Sequence, residues 1–331
     1  MTEKPFGARL RARREGRDWS RPDLARRLRA VATEALPEMT SLVQMIKQWE
    51  TGTHVPGRLY TGLLRRAFAD PPVELDGDQR ERLTLAVAKP ARVDTAVVES
   101  FAQILAAQRR LDDTLGPAAI LPAARVQAAT AETLLREARG TVRAVLAPVV
   151  AEYVQFEGWL HAEMGDARRA THRLTEAECL ADEAGSGVLA AQAANFKGYL
   201  ARRQGNPRGV TRHFLTAYHT PGAHPAQRLG DAVQAAQGYA LLGDATAARR
   251  LLNEGIALTG EATRELPPDT AYWLTPDFHN LNIGLALLAL DEHAAADEHL
   301  SRGLETLPPD QRAAEWTQEY RDALAAAVER R

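Results

Sequence analysis

Thiol chemistry is almost absent from this chain. Its single cysteine, Cys179, excludes an internal disulfide and supplies no zinc site by itself. It lies in a helical pattern and is expected to be buried. No run of eighteen apolar residues occurs, and the opening MTEKPFGARLRARREG has no apolar stretch of signal-peptide type. Neither a membrane span nor secretion is expected, and the expected location is the cytoplasm. Strand signals are also missing: alanine, leucine, arginine and glutamate dominate, and apolar residues recur at three and four. Without strands there is no strand–loop–helix phosphate cradle, and no Ser–His–Asp or Cys–His arrangement stands out. Asp291-Glu292-His293 and Asp297-Glu298-His299 set their histidines on different helix faces without HExxH spacing, so they are expected to be solvated. The expectation is therefore no enzyme, no metal and no cofactor.

What is present is a chain of 331 residues, long enough for a small domain followed by a larger one, with 45% apolar and 25% charged residues. The net charge of −2 hides an uneven distribution. Residues 1–70 hold 14 Lys and Arg against 8 Asp and Glu, and the remainder holds 27 against 35. A basic front end of this kind suits phosphates, from which it would displace counterions, although a solvated basic face has the same composition.

The first break is Ala69-Asp70-Pro71-Pro72, where paired prolines remove helical hydrogen bonds. It divides an N-terminal domain, 1–70, from a linker with a short helix, 71–93, and a large helical region, 94–331. A helix is expected near 79–88, and a long amphipathic one from Asp94 carries Val97, Phe101 and Leu105 on one side. Farther on the chain repeats itself. Gly158 to Asp166, Gly198 to Asn206 and Gly238 to Asp244 each close one helix and open another, and Gly284 to Asp291 does so without a turn glycine. Units of about forty residues that cannot bury their apolar faces alone stack on one another. With Gly-Tyr ahead of the turn and alanines such as Ala247, Ala248, Ala295 and Ala296 after it, the pattern resembles the tetratricopeptide repeat, at a longer spacing.

In the front end, Phe6 to Arg14 reads as a helix. Trp19-Ser20-Arg21-Pro22-Asp23-Leu24-Ala25 follows, with Ser20 and Asp23 in capping-box spacing. Ile46-Lys47-Gln48-Trp49-Glu50-Thr51-Gly52 and then Pro56 complete the pattern, with Leu59, Leu63 and Phe68 as a closing helix. This resembles the helix-turn-helix domain of lambdoid repressors and Cro, the XRE type, including actinobacterial regulators with a large helical C-terminal region. The resemblance implies an all-α fold, a helix-turn-helix domain followed by an α-solenoid of TPR-like hairpins. It further implies a transcriptional regulator that binds a double-stranded operator as a homodimer. Gln44 and Gln48, flanked by Met45 and Lys47, would occupy base-reading positions, where glutamine can pair with adenine. Arg21 and Arg58 would touch phosphates. Arg14 and Glu50 align with a structural ion pair of the family, while Ile46 and Trp49 should face the core. Ser41 with Gln44 also has capping-box spacing, which would tie Gln44 to its own helix start. Ala25 to Ile46 spans 21 positions, against about ten in the family, so helix two is expected to run to about Ala35 before Pro37 stops it.

In the repeat region the first helix of each pair carries aromatic and amide residues, which suits a small amphipathic molecule or an extended peptide. Trp159, Asn195, Tyr199, Tyr239, Trp273 and Asn280 are the candidate ligand contacts; interhelical packing is the alternative reading of the same spacing. The functional expectation is a DNA-binding regulator whose repeat domain senses a small ligand, peptide or protein. The alternative is a TPR-like interaction scaffold without specific DNA binding.

Overall fold

The computed structural model describes residues 6–15, 19–32, 36–54, 56–57, 59–60, 63–64, 67, 75–262, 271–308, 311–312 and 314–331. Among these residues all regular structure is helical, and the chain divides into two compact units, Met1–Glu74 and Leu75–Arg331. The paired prolines and Phe68 lie outside the described residues. Among the described residues no helix is long and apolar enough to cross a membrane.

The first unit contains α1 (Phe6–Glu15), α2 (Arg21–Val31) and α3 (Met39–Glu50), with further helical residues at 59–60, 63–64 and 67. Its core gathers Leu10, Leu24, Leu28, Leu42, Ile46, Trp49 and Leu63. The capping box that opens α2 forms as its spacing predicts: Ser20 Oγ accepts from the Asp23 amide and Asp23 accepts from the Ser20 amide. Hydrogen bonds from Ser20 hold the Asp23 carboxyl down to about 2. Two boundaries differ from expectation. Helix α2 ends at Val31 and not near Ala35, with Ala32 already in extended backbone. Its described buried positions, Leu24, Ala25 and Leu28, all precede that point, and beyond it Ala32 and Leu36 pack against the core only in part. Helix α3 starts at Met39, ahead of Ser41, and its N-cap Glu38 makes no side-chain cap. The expected Ser41–Gln44 box is therefore absent. Met39 packs against the core, so burial rather than capping fixes this start.

The second unit opens with α4 (Gly77–Ala88), capped by Asp76, and the long α5 (Thr95–Leu115), capped by Asp94. There follow α6 (Pro117–Glu137), α7 (Gly140–Glu163), α8 (Ala167–Glu183), α9 (Gly187–Arg203), α10 (Pro207–His219), α11 (Pro225–Leu241) and α12 (Ala245–Ala257). A turn at Thr259–Ala262, then α13 (Pro276–Ala289), α14 (His293–Thr306) and α15 (Gln318–Glu329) complete it.

One turn chemistry recurs through this unit. At the ends of α7, α8, α9, α11 and α13 a residue with positive φ is followed by one whose amide reaches back to the last helical turn. The bonds are Asp166 to His161, Ser186 to Ala181, Asn206 to Ala201, Asp244 to Tyr239 and Glu292 to Leu287, all 2.9–3.0 Å. The side chains of Asp166, Ser186, Asn206 and Asp244 then cap the next helix. Where the sequence lacks a turn glycine, Asp291 takes the left-handed conformation itself, at φ 60°. Glycines of the Gly-aromatic pairs have another task. A Cβ on Gly158 would stand 2.8 Å from Leu174, and one on Gly198 would stand 2.8 Å from Phe214, so they let paired helices approach. Cys179 is exposed, contrary to expectation. Helix α8 buries Ala170, Leu174, Ala177 and Ala181, and Cys179 lies on its other face.

Candidate functional site

Helix α3 sorts its side chains by chemistry. Ile46 and Trp49 face inward as expected, Leu42 joins them, and Thr40, Ser41, Gln44 and Lys47 are exposed. Gln48 and Met45 are half-buried, and Met45 packs against the core. The single carboxylate of the helix, Glu50, is turned inward with its side chain 1% exposed. Arg14 Nε donates to Glu50 Oε1 at 2.6 Å, and Arg21 Nε donates to Oε2 at 2.7 Å. Arg14 also donates to the Trp19 carbonyl at 2.6 Å, which joins α1, the start of α2 and the end of α3 in one network. Arg21, a candidate phosphate contact, is thus engaged with Glu50 and keeps a side-chain exposure of 34%. Arg58 lies outside the described residues. Gly7 completes the arrangement: a Cβ there would stand 2.4 Å from the Trp49 carbonyl oxygen, so α1 crosses the end of α3 at backbone distance. The outward face of α3 is left with hydroxyls, amides and one lysine.

The second unit holds a narrow, partly open cleft. Trp159, Asn195, Tyr199 and Trp273 line it, four of the six residues picked from the repeats. Tyr239 is half-buried in the core between α11 and α12, and Asn280 lies in a separate depression beside His299. The Nδ1 of His299 is 2.9 Å from Asn280 Oδ1, so this histidine is half-buried and bonded rather than solvated, because α14 turns that face to α13. Trp273 sits in the turn ahead of α13 and not on a helix. Among the described residues no three His, Cys, Asp or Glu side chains are placed to hold a metal.

Nine of the chain's nineteen aromatic residues meet in this cleft. Helices α7 and α9 supply Phe156, Trp159, Phe196 and Tyr199, with Trp159 in ring contact with Phe196 at 5.0 Å and Tyr199 at 4.8 Å. The opposite wall comes from Tyr272, Trp273 and Phe278 and from Trp316 and Tyr320 near the C-terminus. Asp113 of α5 accepts from Tyr272 Oη at 2.6 Å and from Trp316 Nε1 at 3.1 Å, which fixes both late segments on the early helix. Neighbouring Asp112 accepts from Trp159 Nε1 at 3.0 Å through Oδ2. Its other oxygen, Oδ1, is buried with no hydrogen-bond partner among the described residues. Burial pushes the Asp112 carboxyl up to about 7. Below the cleft Asp231 is fully buried, accepting from Asn195 at 2.6 Å and Gln227 at 3.0 Å, and burial pushes its carboxyl up to about 8. The cleft's cations are engaged. Arg202 lies 2.9 Å from Glu319 and donates to Gln234 at 2.7 Å, and Arg109 donates to Gln155 at 3.0 Å.

Asp112, Asp113, Trp316 and Tyr320 escape a reading by repeats, since they belong to helices outside the repeated hairpins. One signal was available: adjacent aspartates in the long amphipathic helix of residues 95–115, beside an apolar stripe, leave one carboxylate facing inward.

No protein-family model, curated protein or solved structure matches the chain.

Proposed function

We propose that the chain is a sequence-specific DNA-binding regulator of the XRE type, whose second unit is a TPR-like solenoid that takes an effector in its aromatic cleft. The observation that carries the DNA-binding half is the charge sorting of α3. Its one carboxylate is withdrawn and neutralised by Arg14 and Arg21, so the outward face of the helix itself carries no negative charge. Gln44, exposed and not tied into a cap, and Gln48 one turn later are the base-reading groups, and Lys47 beside them adds positive charge. Arg21 fixes α3 through Glu50, and a phosphate contact would use what remains exposed of its guanidinium. Binding as a homodimer to two half-sites supplies the affinity that one small domain lacks.

The test is selection of bound fragments from random duplexes by the full chain, followed by gel shift at moderate salt. A specific sequence should emerge, and Gln44→Ala and Gln48→Ala should each weaken that complex roughly tenfold, as loss of a bidentate base contact implies. Enrichment of no sequence, with the chain folded, would leave the interaction-scaffold reading in its place.

A further inference from the structure

We propose that the cleft of the second unit binds a small organic ammonium, a protonated amine carried on an aromatic or apolar body. This deepens the effector reading of the cleft and does not depend on DNA binding.

Three observations converge. First, the walls are lined by aromatic rings, whose faces are the negative end of a quadrupole and attract a cation within about 6 Å of the centroid, as Arg109 at Phe156 and Trp273 and Arg202 at Tyr199 already do. An apolar body alone would need no such concentration of aromatics, since leucine and valine fill the cores elsewhere in this unit. Second, among the described residues one carboxylate oxygen at the cleft is left without a donor. Both oxygens of Asp113 receive donors from Tyr272 and Trp316, and Arg202 is matched by Glu319. Asp112 Oδ1, by contrast, is shielded from water and has no donor among the described residues. A buried acceptor without a donor is costly, and an N–H of a ligand would satisfy it. Third, the amides beneath the aromatic layer, Asn195 and Gln227, spend N–H groups on the buried Asp231.

An anion fits this arrangement poorly. Arg202 is already matched by Glu319, and an anion would stand beside the carboxyls of Asp112 and Asp113. A neutral alcohol can donate to Asp112 but gains nothing from the ring faces.

The cleft carries its own reporter: Trp159, Trp273 and Trp316 line it, while the other two tryptophans of the chain, Trp19 and Trp49, belong to the first unit. The experiment is titration of the full chain at mildly alkaline pH with 2-phenylethylammonium, 2-phenylethanol and phenylacetate, followed by tryptophan fluorescence and calorimetry. The ammonium should bind at least tenfold more tightly than either comparator. Asp112→Asn preserves an acceptor for Trp159 and should remove that preference by weakening the ammonium far more than the alcohol. Circular dichroism and a melting curve establish that the variant is folded. Trp273→Leu provides a second test and should weaken the ammonium more than the alcohol. Tighter or equal binding of the alcohol or phenylacetate overturns the inference and leaves an effector cleft of another chemistry. An ammonium preference that survives Asp112→Asn also overturns it. Binding of none of the three probes removes both the inference and the effector reading.

Discussion

Arg14 and Glu50 lie 36 positions apart, yet the Nε of one is 2.6 Å from the Oε1 of the other. The pair is nearly shielded from water, with side-chain exposures of 7% and 1%, and Arg21 adds a second donor to the same carboxylate. Burial of such a pair gives little net stability, but removal of one member strands the other. Glu50→Ala is therefore expected to destabilise the first unit by about 3 kcal/mol, the low end for a buried pair because Arg21 reaches solvent. Hydrogen exchange of the α1–α3 amides in rising urea measures this. Unchanged exchange would mean that the network does not hold the three helices together.

Gly7 is the steric counterpart of that network. Alanine there would place its Cβ 2.4 Å from the Trp49 carbonyl oxygen, and backbone at that distance has nowhere to yield. Gly7→Ala should cost about 1–3 kcal/mol, the range for overpacking, and should lower DNA affinity in proportion to the fraction unfolded. Gly57→Ala, with nothing within 4 Å of the added carbon, is the matched control and should leave the melting temperature unchanged.

Lys47 separates phosphate attraction from base reading. If the outward face of α3 meets DNA, Lys47→Ala should weaken specific and non-specific duplexes alike and reduce the slope of log affinity against log salt by about one. Gln44→Ala should leave the slope as it is and relax discrimination at one base position. Gel shifts at several salt concentrations distinguish the two. A Lys47 variant with the wild-type slope would place that ammonium away from the phosphates.

Asp231 makes a prediction about pH. Burial pushes its carboxyl up to about 8 from an ordinary value of 3.8, so between those values the folded chain keeps a proton that the unfolded chain has lost. Its contribution to stability is thus present at low pH and declines as pH rises through this window, by at most about 1.4 kcal/mol per pH unit. Asp231→Asn removes the titration and keeps an acceptor for Asn195. The melting temperature of this variant relative to wild type should increase from about pH 5 to about pH 8 and level off above that. A constant difference across that range would show that Asp231 does not titrate there.

The recurrent turns give a pair of opposite expectations. Gly205, at φ +62°, should lose about 1 kcal/mol on substitution by alanine, because a Cβ disfavours the left-handed region. Asp291, at φ 60°, occupies the equivalent position with a Cβ already in place, so Asp291→Gly should not destabilise and should gain up to about 0.5 kcal/mol. Thermal melts of the two variants, run beside wild type, decide between this account and one in which Asp291 serves another purpose.

These turns were legible in the sequence because their cause is local. A positive-φ residue, a backward amide bond and a capping side chain lie within six positions, so Gly-Asp and Gly-Asn announce them. The same holds for Ser20 with Asp23 and for the inward-facing Ile46 and Trp49. The start of α3 was not legible, because packing of Met39 prevailed over the cap that Ser41 and Gln44 offered. Cys179 was misplaced because residue type alone does not say which side of α8 it occupies. The cleft was half legible. Trp159, Asn195, Tyr199 and Trp273 stood out by composition, but their partners Asp113 and Trp316 are 203 positions apart, and no spacing rule reaches that far.

The bonds from Asp113 to Tyr272 and Trp316 bear on how the second unit assembles. A row of hairpins in contact only with its neighbours can nucleate anywhere, grow by one unit at a time and fray from either end. Here an early helix shares one carboxylate with two segments near the C-terminus, so closure must wait until both late segments have been made and brought back. Such long-range closure slows folding, and once complete it denies the array a free end from which to unravel.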